Sequence, residues 1–229
     1  MRVTSHIVTL AGLVASLAAG GTLAGCGSYT ADVQGSGVIT TDTRDASALE
    51  GVSRVSLEGS SNVTITIDPE AERSIVVETD DNLHEFIRTY VEDGTLVVTS
   101  DGSYSTSHGV RVTLVLSALD AASLAGSGDI HVEGITADRF VANLAGSGDI
   151  FLAGTTQHAK LSVAGSGDIH AMKLTATDAD VSVAGSGDIE FKGTGDAKVA
   201  ITGSGDVTCH GKPANLVQTV LGSGDIRIK

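Results

Sequence analysis

The feature that most constrains the fold of this chain is a tetrapeptide, Gly-Ser-Gly-Asp, which occurs six times. Its copies begin at Gly126, Gly146, Gly165, Gly185, Gly203 and Gly222. Successive copies therefore follow one another at a nearly constant interval. A repeat of such constant period indicates that each unit is one supersecondary element, which buries its apolar face only against its neighbours.

Apolar residues flank every copy at fixed positions. The residue two before the first glycine is Leu124, Leu144, Val163, Val183, Ile201 or Val220. The residue directly after Asp is Ile130, Ile150, Ile169, Ile189, Val207 or Ile226. Further apolar residues stand two positions outside both sets, with Gln218 as the exception. A spacing of two indicates strands with one face inward, so each unit predicts a strand, a Gly-Ser-Gly-Asp corner, a second strand and a looser turn.

The corner sequence suits a sharp turn, because glycine reaches backbone angles that other residues avoid and a short Asp side chain can accept backbone N–H groups. Identical units stacked in parallel would place like residues about 4.8 Å apart and form continuous Ile and Val columns inside. The predicted fold is therefore all-β, a parallel β-helix or β-solenoid with coils of about 18–20 residues. The alternative is an antiparallel meander with the same corners as hairpin loops, but a meander would not need the same residue type in every column.

The region before the repeats predicts an irregular N-terminal cap. Residues Val55–Ile65 fit the repeat template with Asn62 in the position of Asp, which indicates a degenerate first coil. A strand is expected over Arg73–Thr79, followed by one short helix capped at Asp80-Asp81-Asn82. The Asp-Gly pair within Tyr90–Val98 predicts a hairpin.

The N-terminal segment predicts an export signal and a lipid anchor. Residues 1–25 hold a single charged side chain, Arg2, and an apolar run short for a membrane span, so they are expected to form a lipoprotein signal peptide. The Leu-Ala-Gly-Cys sequence that ends at Cys26 is similar to a bacterial lipobox, which implies diacylglycerol on Cys26 and cleavage before it. Residues 26–34 would then be a short lipidated leader, and 35–229 a single solenoid domain with regular repeats from about residue 120. A transmembrane anchor and an ordinary signal peptide are the alternatives.

The charge balance argues against one class of partner. The chain holds 14 Lys and Arg against 28 Asp and Glu, and loss of residues 1–25 with Arg2 would change the net charge from −14 to −15. So acidic a chain is not expected to bind nucleic acid. With Cys26 lipidated, Cys209 would be the one remaining cysteine, and its inward column predicts a small core residue.

The leading β segment, the first coil, the Asp-Gly hairpin and the serial Gly-Ser-Gly-Asp-Ile units resemble the putative auto-transporter adhesin family with a head GIN domain. The resemblance extends from about Gly35 to Lys229. It implies a right-handed β-helix in an exported bacterial protein, commonly a lipoprotein. It implies no catalytic residues.

One column of acidic side chains is a candidate site, and we name it the Asp ladder. Its members are Asp129, Asp149, Asp168, Asp188, Asp206 and Asp225. Carboxylates about 4.8 Å apart would each repel the next by about 1 kcal/mol at high dielectric, so some interaction must offset the repulsion. Each Asp is expected to accept hydrogen bonds from its own corner. The alternative is a ladder of calcium ions, although the calcium-binding repeats that also combine Gly and Asp have a different period and spacing.

An outward column supplies the second candidate site. Its residues His131, Phe151, His170 and Glu190 are expected to form a surface stripe that binds a partner, with Phe151 as the anchor. His131 and His170 lie two coils apart, about 10 Å, so the two histidines are not expected to share a metal ion. No cofactor is expected.

These observations favour a non-enzymatic, membrane-anchored extracytoplasmic lipoprotein that displays a solenoid surface for adhesion. Its expected partners are the membrane, through Cys26, and an envelope glycan, an envelope protein or a second copy of the chain. One alternative is a polysaccharide-active β-helix enzyme, but the basic residues of the repeats are dispersed among the coils: Arg139, Lys160, Lys173, Lys192, Lys198 and Arg227. The other alternative is a calcium-stabilised repeat module.

Overall fold

The computed structural model describes residues 33–229, which share one continuous hydrophobic core. Residues 1–32 lie outside the described part, so the signal peptide and the lipidation of Cys26 stay predictions. In the described part, no helix is long and apolar enough to cross a membrane.

The structure is nearly all β, a solenoid of about five turns. Its first nine strands are β1 Val33–Gln34, β2 Ile39–Arg44, β3 Arg54–Gly59, β4 Asn62–Ile67, β5 Ser74–Asp80, β6 Ile87–Glu92, β7 Thr95–Ser100, β8 Tyr104–Ser105 and β9 Arg111–Leu116. The remaining nine are β10 Ala121–Gly126, β11 Ile130–Gly146, β12 Ile150–Gly165, β13 Ile169–Gly185, β14 Ile189–Gly193, β15 Asp196–Gly203, β16 Val207–His210, β17 Asn215–Gly222 and β18 Ile226–Ile228.

The repeat coils stack in parallel and in the register that the sequence columns predict. Leu124 pairs with Leu144, Leu144 with Val163, and Val163 with Val183. The same column continues through Ile201 to Val220. The β-solenoid is therefore confirmed, and the antiparallel meander is wrong for this region.

The inward columns form the core. Ile130, Ile150, Ile169 and Ile189 are each 0% exposed. Burial of a side chain of this size contributes about 1.5–3 kcal/mol relative to its exposure, so the isoleucine column is a main source of stability.

The first coil lies where the sequence predicts it, but it does not form the end of the stack. Gly59 pairs with Gly126, and Val63 with Ile130, so β3 and β4 continue the repeat columns. The chain then turns back over this coil before it enters the repeats. Strands β7 and β9 pair in parallel with β3 and β4, and β6, β5 and β2 are added in antiparallel pairings. These five strands form the cap.

The helix expected in the cap is shorter than predicted. A single 3₁₀ turn spans His84–Phe86, its N-cap position is Leu83, which makes no side-chain capping bond, and Ile87 already begins β6. The carboxylate of Asp80 does not cap it, because Asp80 accepts hydrogen bonds from the Gly37 N–H and the Thr106 hydroxyl. The sequence did not predict a second 3₁₀ turn, Ala46–Leu49, which Asp45 caps.

The hairpin is confirmed between β6 and β7. Asp93 and Gly94 adopt φ values of 48° and 72°, as the two central residues of a type I′ turn require.

Candidate functional site

The two glycines of each corner are needed for different reasons. The first glycine has a positive φ, for example 143° at Gly146. The second needs the space, since a Cβ on Gly148 would collide with the carbonyl oxygen of Gly128 in the preceding coil. The corners therefore stack backbone on backbone, and they hold each following Asp directly over the Asp of the coil before it.

The Asp ladder is built from hydrogen bonds between coils. Oδ1 of each Asp accepts the backbone N–H of the Asp in the next coil, at distances of 3.0, 3.0, 2.7, 2.7 and 2.8 Å from Asp129 to Asp225. Asn62 begins the series, because its Oδ1 accepts the Asp129 N–H at 3.2 Å. The expectation that each Asp caps its own corner is wrong in this respect. A hydrogen bond to a charged acceptor contributes about 1.5–3 kcal/mol, which is enough to offset the repulsion between neighbouring carboxylates.

The last two members of the Asp ladder are neutralised in part by a cation. Arg227 contacts Asp206 at 2.8 Å and Asp225 at 3.1 Å. The backbone hydrogen bond from Asp225, followed by the side-chain hydrogen bond from Arg227, lowers the pKa of Asp206 below its ordinary value. Asp206 is therefore anionic at neutral pH, and Arg227 contacts both carboxylates within the protein.

The residues of the outward stripe lie together as predicted, and three of their rings are stacked, which the sequence did not predict. The rings of His131 and Phe151 stack with centroids 4.3 Å apart and an interplanar angle of 5°. Phe151 and His170 stack at 4.7 Å and 20°. Glu190 lies opposite His170 in the next coil. We name the three rings the ring stack; the two imidazoles cover both faces of Phe151.

A groove runs beside the ring stack. Its volume is about 410 Å³, and it is lined by the stripe and by Glu133, Ala153, Met172 and Lys173. Met172 is 41% exposed and supplies apolar surface, while Glu133 and Lys173 supply opposite charges. The sequence columns did not reveal these residues, because the register shifts between Phe151 and Ala153 and moves the side chains beyond it out of the repeat.

One group near the ring stack offers metal-ligand atoms. Three residues, Asp149, Asp168 and His170, each offer one ligand atom, and these three atoms lie within 4.8 Å of one another. Oδ1 of each Asp already accepts a backbone N–H, so one oxygen per carboxylate is left. This group falls below the six to eight oxygen ligands of a calcium site. His131 and His170, as expected, have Phe151 between them.

Polar residues at the looser turns form a second, shorter ladder that the sequence analysis missed. Oδ1 of Asp178 accepts the Asp196 N–H at 2.8 Å, and Oδ1 of Asp196 accepts the Asn215 side-chain N–H at 2.7 Å. His158 contacts Asp178 at 3.2 Å. The spacing of these residues matches the period of the repeat, so the sequence contained a sign of this ladder. The looser turns share no sequence motif that would have drawn attention to it.

Cys209 lies in the core, as its column predicts, and is 0% exposed. Desolvation by burial raises the pKa of its thiol. The thiol is therefore protonated and unreactive at neutral pH.

Comparison with known proteins agrees with this architecture. A putative adhesin from Bacteroides fragilis is 25% identical, with a TM-score of 0.69 over 86% of this chain and 100% of that chain. A putative lipid binding protein from Parabacteroides distasonis is 22% identical, with a TM-score of 0.54 over 86% and 99% of the two chains. A putative adhesin from Parabacteroides merdae is 20% identical, with a TM-score of 0.53 over 87% and 100%. The last two likenesses concern the fold alone.

No curated protein matches this chain. A family profile does, over residues 52–213, which is well over half of the chain. The protein therefore belongs to the family described as putative auto-transporter adhesin, head GIN domain.

Proposed function

We propose that this protein is a non-enzymatic lipoprotein, anchored through Cys26 on the outer side of a membrane, which binds an envelope partner through the ring stack and its groove. Family membership supports an adhesin-like, extracytoplasmic role. The observation that carries the choice of surface is the stack of His131, Phe151 and His170 beside the exposed Met172.

The geometry of the ring stack favours one class of ligand. Sugar rings bind aromatic side chains face to face, but both faces of Phe151 are covered by imidazoles. The groove instead offers the Met172 side chain, two carboxylates from Glu133 and Glu190, and one ammonium group from Lys173. Such a mixture of apolar and charged groups suits a protein segment. An envelope protein is therefore the favoured partner, and an envelope glycan is the second candidate.

The Asp ladder gives little support for the enzyme alternative, although the groove beside the ring stack does hold Glu133, Glu190 and Lys173. A polysaccharide-active site would need free carboxylates and a basic residue in one groove. In the Asp ladder, Asp129 to Asp206 each use one carboxylate oxygen for a backbone N–H of the next coil. Those carboxylates therefore have a structural role that is sufficient to explain their presence.

Adhesion of cells that display the full-length protein tests this proposal. The surfaces would be coated with envelope material that has been treated with protease or, separately, with periodate to destroy glycans. We expect adhesion to survive periodate and to be lost after protease treatment. Met172→Ser should weaken it at least tenfold, whereas Ser182→Ala, at an exposed position near the other end of β13, should leave it unchanged.

Two results would contradict the proposal. One is adhesion that Met172→Ser and Ser182→Ala affect equally. The other is release of reducing sugars from an anionic glycan by the purified protein, with loss of that activity in Asp168→Asn.

A further inference from the structure

The edge strands at the two ends of the solenoid differ in their protection against pairing with another chain. At the cap end, β2 is an edge strand, and Asp42 and Arg44 lie opposite the buried Val77 and Ile75, on the inward face. Arg44 contacts Asp42 at 3.2 Å and donates hydrogen bonds to Thr89 and to the His84 carbonyl. Inward-pointing charges of this kind protect an edge from pairing with another chain. The β2 edge of the cap is therefore protected.

The opposite end has no such protection. Among the described residues, β17 pairs only with β15, and β18 only with β16. Eight large hydrophobic side chains are exposed in the described part, and half of them lie on these two strands: Val217 at 60%, Val220 at 40%, Leu221 at 66% and Ile228 at 43%. This end therefore combines an unpaired backbone edge with apolar surface.

The exposure of Val217 and Leu221 does not result only from their position in the last coil. Val217 and Leu221 belong to outward columns, which are solvent-exposed in the two preceding coils as well. The column of Val217 holds Lys198 and Asp180 in those two coils. The column of Leu221 holds Thr202 and Ala184. A strand that is apolar on both faces is typical of a strand covered on both sides. Val217 and Leu221 thus place large apolar side chains in columns that are polar or small in the preceding coils.

We propose that β17 is an interface for a second copy of this chain, and that the two copies join tail to tail with their β17 strands antiparallel. The two-fold axis would pass beside Gln218, the one polar residue in an inward column that otherwise holds Ala122, Ala142, Leu161, Val181 and Val199. In this register Gln218 meets its own counterpart, and each amide offers both a donor and an acceptor. Leu216 then lies opposite Val220 of the second copy. The inward column continues across the interface.

Charge supports a second copy at this end. The chain carries a net charge of −14, so two copies repel each other along most of their surface. Residues 207–229 are the exception, with Lys212, Arg227 and Lys229 against Asp225. Because a two-fold contact brings residue i of one copy to residue j of the other and the reverse, a lysine of each copy can approach Asp225 of its partner, which already contacts Arg227 of its own chain. The association stops at two chains, because a two-fold contact uses the β17 strands of both copies.

This interface is separate from the groove of the proposed function, so the two proposals can fail independently. The first test is the number of chains per particle, measured by sedimentation of the full-length protein in detergent over a dilution series. We expect two chains for the wild type and one for Leu221→Lys. Ala184→Lys is the matched control, since Ala184 is exposed in the same outward column, and it should remain dimeric.

A second test examines the register. Opposed residues of an antiparallel pair have Cα atoms about 4.5–5.5 Å apart, within the range of a disulfide. Gln218→Cys should therefore form a disulfide-linked dimer on mild oxidation, while Ala184→Cys should not.

Four results would overturn the proposal. Wild-type protein with one chain per particle at every concentration would contradict the interface, as would equal loss of dimer in Leu221→Lys and Ala184→Lys. Particles of more than two chains that Ile39→Lys disrupts would indicate head-to-tail stacking instead. A dimer that Leu221→Lys dissociates but Gln218→Cys does not cross-link would refute the two-fold at Gln218.

Discussion

The carboxylate of Asp168 accepts the backbone N–H of Asp188 at 2.7 Å, across the boundary between two coils. The corner turns the chain so sharply that this N–H does not meet a carbonyl of the neighbouring coil. The side chain replaces the missing carbonyl. The Asp ladder is therefore part of the hydrogen bonding that holds successive coils in register.

Asp168→Asn should be tolerated, whereas Asp168→Ala should destabilise the protein by about 1–3 kcal/mol, because only Asn keeps the acceptor oxygen. Asn62 already fills this role at the start of the ladder, where it accepts the Asp129 N–H. Chemical denaturation measures both free energies of unfolding. Asp180→Ala, at an exposed position outside the ladder, is the control and should be near neutral. Equal destabilisation by Asn and Ala at position 168 would show that the charge matters more than the hydrogen bond.

The acid limb of the stability curve should depend on Asp206. Its pKa is lowered in the folded state, chiefly by the backbone hydrogen bond from Asp225 and then by Arg227. A lowered folded pKa adds stability above the ordinary pKa of the carboxyl, and that stability is lost as pH falls through the folded value. We therefore expect the wild type to be more stable than Asp206→Asn at neutral pH. The difference between their free energies of unfolding should become smaller below about pH 4.

Arg227→Gln provides the companion measurement for this effect. In an Arg227→Gln background, the difference in free energy of unfolding between Asp206 and Asp206→Asn should be smaller at neutral pH but still present, since the backbone hydrogen bond from Asp225 stays. A difference between wild type and Asp206→Asn that does not change with pH would contradict the assignment.

Chelation should leave the melting temperature unchanged. Asp149 and Asp168 each have only one carboxylate oxygen free of backbone hydrogen bonds, too few ligands for calcium even with His170. Melting curves with EDTA, and with calcium restored, measure this directly. A large loss that calcium reverses, and that is absent in His170→Ala, would make this group a metal site.

The solenoid could be predicted in detail because every coil repeats the same environment. Ile150 and Ile169 occupy the same column in the sequence and pair in the structure. The cap could not be predicted equally well, since no repeat determines the order of its strands. Its helix reduces to one 3₁₀ turn because Asp80, which could have capped a helix, binds Gly37 and Thr106.

The candidate surface was predictable only in part for a related reason. The column of His131, Phe151 and His170 follows from the period, and so does their proximity. The groove beside them depends on a shift in register after Phe151, which brings Ala153 opposite Lys173. Shifts of this kind depend on how the looser turns pack, and the repeat does not encode them.

Lipidation of Cys26 should be detectable by mass spectrometry of the membrane fraction. The lipobox-like sequence predicts an N-terminal diacylglyceryl cysteine at position 26 and the loss of residues 1–25. Cys26→Ser is the control and should abolish both the acyl mass and this cleavage. A wild-type protein that is recovered soluble, cleaved elsewhere and without acyl mass would refute the anchor.

The lipid anchor and the tail-to-tail dimer together predict that the protein joins facing membranes. The segment after the expected leader contacts the cap, where Gly37 donates its N–H to Asp80. In the solenoid, the rungs from Val98 to Val220 span about 34 Å.

A dimer joined at β17 would carry two lipid anchors, one from each chain, and we expect these to enter two different membranes. Vesicles that carry the full-length lipidated protein should cluster, as light scattering measures. Leu221→Lys should keep them dispersed, and Ala184→Lys should not. Flotation of the protein with the vesicles separates the two premises: protein that does not float shows that the anchor has failed. Vesicles that carry floating wild-type protein and stay dispersed would contradict the association across membranes.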